Sequence, residues 1–367
     1  RGEIALGLHA DSDDDEVGGQ HRAVDGRDRA DPAGRAFDPR DRRADPQVHP
    51  ARPVGVGDMG GDVFGNGMLL SEHTRLVGAF NHIHIFCDPD PDTASSFKER
   101  QRLFDGVLGW DQYDTKKLSK GGRIYNRNEK SLQLTPEIQK RFGISREKVS
   151  PYELMNAMLK SRCDLMWFGG IGTYIKGTHE THADVGDKAN DAIRINGNEL
   201  HAAVVGEGAN LALTQHGRIE YAERGGRLNT DFVDNSAGVN SSDVEVNIKI
   251  LMNDVMSGKT HKMDIPARNK LLEKMTPEVA EHVLRNNYQQ GQAISLAELQ
   301  ARETLSLQEE FIKDLERNHG LNRVLEGLPD AETVAQRLHL GKGMTRPELC
   351  VLLSYSKINF TRELLET

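Results

Sequence analysis

Apolar and polar positions follow two different periods along most of the chain. Residues 165–168 and 202–205 are short apolar runs that end in glycine-bearing turns, as buried parallel strands do. Residues 68–80 carry apolar side chains at helical spacing, and residues 82–86 alternate like a strand. The pattern therefore predicts strands that alternate with helices.

In the chain of 367 residues, the alternation predicts two domains from residue 54 onward. Residues 54–245 form an α/β domain with a mostly parallel sheet and a helical insertion at about 93–160. Residues 246–367 form a mainly α-helical C-terminal domain. Four predicted helix starts place a hydroxyl ahead of proline: Thr135, Ser150, Thr276 and Thr345.

Residues 1–53 differ in composition from the rest. They contain no lysine or methionine, and their only aromatic residue is Phe37. So little apolar surface predicts disorder. A shift of reading frame in GC-rich DNA also produces this composition, so a non-native segment is the preferred interpretation.

Residues 54–67 are rich in glycine and carry the candidate chemistry. Gly55, Gly57 and Gly60 fit the pattern G-x-G-x-x-G, in which bare backbone approaches a pyrophosphate at the start of a helix. The third glycine is expected to let the helix pack close to its strand. Asp88, predicted at the tip of the second strand, is the candidate acid for the adenosine ribose. These positions favour a Rossmann-like dinucleotide-binding domain.

Three later segments are expected where open α/β sheets bind ligands, after consecutive strands. They are residues 169–175, residues 206–210 and residues 231–239. Each combines small residues with an amide or hydroxyl that can orient a ligand. Any one alone is explained as a turn or a helix cap, but together they favour a nucleotide and substrate cleft.

Charge and cysteine content exclude several classes of protein. A net charge of −9 argues against nucleic-acid binding. No apolar run is long enough to cross a membrane, and Cys87, Cys163 and Cys350 suggest neither a disulfide framework nor a metal site. His82 and His84 alone do not make a metal site either. We therefore expect a cytoplasmic protein without a metal.

Eight segments, in the same order, resemble the large bacterial NAD-specific glutamate dehydrogenases. The resemblance runs from about residue 54 to the end. The segments are 54–59, 61–69, 84–92, 167–174, 181–187, 206–211, 234–239 and 345–349.

The resemblance implies NAD-dependent oxidative deamination of L-glutamate to 2-oxoglutarate and ammonia, as part of amino-acid catabolism. It assigns the pyrophosphate to Gly55, Gly57 and Gly60 and the ribose to Asp88. The remaining positions that it implies are Gly206, Asn210 and Asn235 for the cofactor and Ser242 for the substrate carboxylate. The intact enzyme is expected to be a homo-oligomer.

The resemblance also places the catalytic lysine and its aspartate partner in a substrate domain ahead of the dinucleotide fold. Residues 1–97 contain no lysine, and Lys98, Lys116 and Lys117 fall in the predicted insertion. We therefore assign no catalytic residue, interpret the chain as a C-terminal fragment of the enzyme, and expect it to be inactive alone.

A second hypothesis is a non-catalytic interaction or regulatory protein that retains a degenerate Rossmann domain. It gains weight from Pro53, which cannot donate to a sheet ladder where the first strand is expected.

Overall fold

The structure is a computed structural model that describes residues 51–258 and 263–366. The interpretation of residues 1–53 therefore lies almost wholly outside the described residues and stays a prediction.

Ten strands and twelve α-helices, numbered in chain order, make up the described part. The strands are β1 Pro53–Val56, β2 Gly78–Phe80, β3 His84–Cys87, β4 Arg123–Asn126, β5 Leu132–Gln133, β6 Lys148–Val149, β7 Cys163–Phe168, β8 Ile175–Lys176, β9 Ile195–Asn196 and β10 Ala202–Glu207. The helices are α1 Asp62–Leu69, α2 Thr93–Asp105, α3 Pro136–Phe142, α4 Pro151–Lys160, α5 His182–Val185, α6 Gln215–Glu223, α7 Asp231–Asp234, α8 Ser236–Ser257, α9 Ile265–Leu299, α10 Leu305–Asn318, α11 Ala331–His339 and α12 Arg346–Glu366.

The main sheet has six strands in the order β10-β7-β1-β2-β3-β4. The first four are parallel to one another, and β3 and β4 are added antiparallel. All four residues of β1 are buried, as expected of a central parallel strand with both faces covered. The predicted α/β class, with a mostly parallel sheet and a helical C-terminal part, is confirmed.

Pro53 does not interrupt the central strand. It is the first residue of β1, and its carbonyl accepts a hydrogen bond from the Val77 backbone N–H at 3.1 Å. The preceding Arg52 N–H donates to a carboxylate oxygen of Asp164 at 2.9 Å. Because proline is tolerated at the first position of a strand, this objection to a working dinucleotide fold loses its force.

The predicted helix over residues 68–80 is wrong. Helix α1 ends at Leu69, and residues 78–80 are strand β2. All three residues of β2 are buried, and a Cβ atom on Gly78 would lie 2.7 Å from the Met158 Cε. A short apolar run fits either structure, so its spacing alone could not decide between them.

Helix caps explain two of the predicted helix starts. Thr135 caps α3, and Ser150 forms a capping box with Glu153 at the start of α4. The start predicted at Thr276 is wrong, because Pro277 lies inside the continuous helix α9.

The predicted domain limits do not coincide with the ends of elements in the structure. The insertion at about 93–160 holds α2, α3 and α4 but also strands β4 to β6. The limit between residues 245 and 246 falls inside α8. The division into domains stays a prediction.

Replacing Ser150 with alanine should lower the free energy of unfolding by about 1 kcal/mol. The change removes the hydroxyl that accepts a hydrogen bond from the Glu153 backbone N–H at 3.3 Å. Urea denaturation measures the effect, with Ser145→Ala in the exposed preceding loop as control. Equal midpoints for the two variants would contradict the assignment of the cap.

Candidate functional site

The glycine turn follows β1 at the carboxyl edge of the sheet. The Gly57 N–H donates to the Phe80 carbonyl at 2.8 Å, and the Gly57 carbonyl accepts from the indole N–H of Trp110 at 2.9 Å. Gly57 has a φ of +142°, and a Cβ atom there would lie 2.7 Å from the Phe64 Cβ. Position 57 therefore requires glycine both for its backbone conformation and for the close approach of α1.

Close contacts also require glycine at positions 55 and 60, but each position contacts a different part of the structure. A Cβ atom on Gly55 would lie 2.6 Å from the Trp167 carbonyl oxygen, and one on Gly60 would lie 2.9 Å from the Leu108 carbonyl oxygen. Gly60 thus faces the turn after α2. The expectation that it lets the helix approach its strand is wrong. Within α1, Gly67 permits close packing on the neighbouring strand β7, since a Cβ there would lie 2.8 Å from the Trp167 ring.

Backbone donors of the turn are available to a ligand. The N–H groups of Asp58 and Gly60 have no acceptor among the described residues, and both residues are partly exposed, whereas Met59 between them is fully buried. Helix α1 begins directly afterwards, at Asp62, with Gly61 as its N-cap. Unpaired N–H groups at the start of a helix are suited to an anion such as a phosphate.

The loop after β7 lies beside this turn. Gly169 N–H donates to the Val56 carbonyl at 2.8 Å, and a Cβ on Gly170 would lie 3.6 Å from the Gly57 Cα. Next to them the Ile171 side chain is 93% exposed. The structure therefore brings together two of the glycine-bearing segments found in the sequence.

The loop after β10 is tied to the loop after β7. The Ala209 N–H donates to the Phe168 carbonyl at 2.8 Å, and the Thr173 hydroxyl donates to the Leu211 carbonyl at 2.6 Å. Leu211 has a φ of +63°, a conformation that costs a non-glycine residue energy and persists only where its surroundings hold it.

Asn210 and Asn235 meet at this edge. The Asn235 amide donates a hydrogen bond to the side-chain oxygen of Asn210. Asn235 lies at the junction of α7 and α8, and its side chain caps neither helix. The segment 231–239 was expected to follow a strand, but it is helical. Its Asn235 nevertheless reaches the loop after β10.

The other candidate positions have different surroundings. Gly206 is a residue of β10, and a Cβ there would lie 2.7 Å from the Trp167 ring, so packing alone explains its glycine. Ser242 is exposed on α8. No contact of Ser242 with the glycine turn is observed within the described ranges.

The predicted position of Asp88 is wrong. It follows β3, which runs antiparallel to β2, and its N–H donates to the Val77 carbonyl at 3.1 Å, just before β2 begins. Asp88 therefore lies at the opposite edge of the sheet from Gly57. Its side chain is fully buried, which raises its pKa, and it accepts hydrogen bonds from the N–H and hydroxyl of Ser119.

A buried charged network, which the sequence reasoning missed, supports the loop after β10. Arg218 donates to both carboxylate oxygens of Glu207, at 2.7 and 2.9 Å, and lies 3.1 Å from a carboxylate oxygen of Asp231. The Asp231 carboxylate accepts from the Leu211 N–H at 2.8 Å, and the Asp234 carboxylate accepts from the Glu207 N–H at 3.0 Å. Carboxylates thus hold the backbone on either side of Asn210.

Three carboxylates surround one guanidinium in this network, and burial changes the pKa of two of them, Glu207 and Asp234. Burial raises the pKa of Glu207 to about 7, against the opposing effect of Arg218. Burial also raises the pKa of Asp234. The only sequence signal was the unusual combination of a strand that ends in glutamate with a later pair of aspartates.

The assembled edge fits an elongated ligand with an anionic part. Open N–H donors lie at the glycine turn, and two amide side chains lie at the loop after β10. Among the described residues, no group of three or more His, Cys, Asp or Glu side chains is arranged to hold a metal ion. Two open clefts, of about 380 and 350 Å³, lie elsewhere and are lined by none of these residues.

The family model described as "Bacterial NAD-glutamate dehydrogenase, catalytic domain" matches residues 19–297. The chain belongs to this family. The match confirms the resemblance and begins within the segment that we interpreted as non-native.

Named relatives agree with the family. The chain is 56% identical over 307 residues to the NAD-specific glutamate dehydrogenase of Halomonas elongata, covering 83% of the chain and 19% of that protein. It is 53% identical over 315 residues to that of Pseudomonas aeruginosa, covering 86% and 19%. For that of Mycobacterium tuberculosis the identity is 45% over 330 residues, covering 88% and 20%. The chain thus spans about a fifth of the length of these relatives.

Among solved structures, glutamate dehydrogenase from Plasmodium falciparum matches 66% of this chain and 39% of its own, with 12% identity and a TM-score of 0.35. Within residues 51–258 and 263–366, no helix combines the length and apolarity that a membrane crossing needs.

Replacing Arg218 with methionine should lower the free energy of unfolding by about 3–5 kcal/mol at pH 8, because it leaves buried carboxylates unpaired. Since the folded-state pKa of Glu207 is raised, the folded state binds more protons than the unfolded state, and stability falls as pH rises through about 4.5 to 7. Without Arg218 the pKa of Glu207 in the folded state rises further, so stability continues to fall up to a higher pH. The loss of unfolding free energy caused by Arg218→Met should therefore be smaller at pH 5.5 than at pH 8.

Chemical denaturation at the two pH values measures this difference. Arg224→Met, at an exposed position six residues along the chain, is the matched control and should change stability by no more than about 0.5 kcal/mol. A deficit of equal size at both pH values would argue against an ionised Glu207 as its source.

Proposed function

We propose that the chain binds NAD along the carboxyl edge of its sheet, as the dinucleotide-binding part of an NAD-dependent glutamate dehydrogenase. The observation that carries this proposal is the glycine turn: Gly57 has a φ of +142°, and the adjacent backbone donors are open. The family membership supports the same assignment.

The residues of the turn fit a pyrophosphate. A side chain at position 57 would collide with Phe64, so glycine there lets α1 begin close to the end of β1. The N–H groups of the partly exposed Asp58 and Gly60 are proposed to bind phosphate oxygens at the start of α1. Gly55 and Gly60 are proposed to act by permitting this close packing.

The nicotinamide end is proposed to lie at Asn210 and Asn235. Their side chains are joined by a hydrogen bond, and the buried charges of the Glu207 network hold the backbone beside them. Gly206 is proposed to contribute through its lack of a side chain, and Ser242 to contact the substrate carboxylate.

In the intact enzyme, NAD would accept hydride from the α-carbon of L-glutamate, giving 2-oxoglutarate and ammonia after hydrolysis of the imine. The groups of this chain are proposed to bind and orient the reactants. A homo-oligomer and a cytoplasmic location also remain part of the proposal.

The chain should bind NAD saturably in a calorimetric titration, and Gly57→Ala should abolish that binding. The added methyl group collides with Phe64 and is strained at positive φ. Gly170→Ala, whose Cβ would meet the Val56 carbonyl oxygen at an ordinary 3.4 Å, tests a milder obstruction beside the turn and should weaken binding.

Gly291→Ala in α9 is the control, because nothing lies within 4 Å of a Cβ atom there. Circular dichroism establishes that each variant is folded. A folded wild-type chain that shows no saturable binding at millimolar NAD would refute the proposal and favour the non-catalytic interaction protein.

The chain alone should not oxidise glutamate. Residues 1–97 contain no lysine, and Lys98 on α2 and Lys116 and Lys117 in the short 3-10 turn at residues 115–117 are exposed. NADH absorbance with L-glutamate and NAD is the measurement, and an active glutamate dehydrogenase added to the same mixture verifies the assay. Steady NADH production by the chain would reveal a catalytic base that this assignment lacks.

A further inference from the structure

The end of strand β2 carries no acid. β2 ends at Phe80, and the next residue is the uncharged Asn81. In dinucleotide-binding folds, a carboxylate near this strand end accepts hydrogen bonds from the adenosine ribose. Asp88 lies at the opposite edge of the sheet, so another group must provide such an acceptor.

The carboxylate of Asp58 reaches the end of β2 from the glycine turn. One of its oxygens accepts from the Gly61 N–H at 2.9 Å, and the other accepts from the Asn81 amide at 3.0 Å. Gly57 brings the two elements together, because its N–H donates to the Phe80 carbonyl. Asp58 thus lies between the proposed phosphate site and the strand end.

The hairpin between β2 and β3 fixes this contact. The side-chain oxygen of Asn81 accepts from the backbone N–H groups of Ile83 at 2.8 Å and His84 at 2.7 Å. The amide nitrogen of Asn81 must therefore point toward Asp58. An ionised carboxylate has about four acceptor positions. Two are occupied in the half-buried Asp58 side chain, which leaves positions for two hydroxyl groups.

We propose that Asp58, oriented by Asn81, binds the adenosine ribose hydroxyls of NAD and repels the 2′-phosphate of NADP. This assignment rests on the NAD binding proposed above. The acid that selects the dinucleotide then belongs to the glycine turn and not to the second strand.

Because a positive charge lies near the same strand end, the charge of Asp58 should decide the preference between NAD and NADP. The Arg127 guanidinium donates to the Asn81 carbonyl at 3.2 Å. A 2′-phosphate would be attracted by Arg127 and repelled by Asp58. Removing the Asp58 charge leaves the attraction unopposed, so the preference between the two dinucleotides should change with this one residue.

Calorimetric titration of the whole chain with NAD and with NADP tests the assignment. Asp58→Ser keeps an oxygen for the Gly61 N–H but removes the charge. We expect this variant to bind NAD roughly tenfold or more weakly and to bind NADP at least as tightly as the wild type does. Asp62→Asn removes the same charge from the exposed first turn of α1 and should keep the preference for NAD.

The outcomes separate this assignment from the proposed function. If the wild type binds NAD and Asp58→Ser keeps its preference, or Asp62→Asn shifts the preference equally, the assignment is wrong and the proposed function stands. If the folded wild type binds no NAD, both fail. If Asp58→Ser does not fold, Asn81→Ala is the second variant, because it keeps the Asp58 charge but removes the amide that orients the carboxylate. Asn81→Ala should reduce the preference for NAD, and an unchanged preference would overturn the assignment.

Discussion

The packing of Phe64 between β1 and β7 is the contact on which the geometry of the candidate site depends. The side chain is fully buried, and Cβ atoms on Gly55, Gly57 and Gly169 would each lie 2.7 Å from an atom of this residue. Three glycines, one in β1 and one directly after each of β1 and β7, therefore leave the space that one aromatic side chain fills. Because Phe64 belongs to α1, this contact sets how closely the start of the helix approaches the glycine turn.

Local sequence patterns predicted those features that depend on neighbouring residues. The glycine turn, the capped helices at Thr135 and Ser150, and the apolar strands β7 and β10 all have short signatures. The family resemblance added the proximity of Asn210 to Asn235, which are separated in sequence and meet only in the fold. These elements could be recognised before the structure was known.

The errors arose where strand direction and burial decide the outcome. Asp88 follows an alternating strand, but alternation does not show whether that strand runs parallel or antiparallel to its neighbour. The hairpin between β2 and β3 reverses the chain and carries Asp88 to the far edge. The Glu207–Arg218 pair was missed for a similar reason, because ionisable residues eleven positions apart give no sign that both are buried.

The two tryptophans of the chain both pack directly against the candidate site. The Trp110 indole donates to the Gly57 carbonyl, and the Trp167 ring lies against Gly67, Gly206 and Gly208. Neither ring is exposed on a distant surface. The intrinsic tryptophan fluorescence of the protein therefore originates from residues packed directly beneath the candidate site, and it provides an optical signal of events there without any attached label.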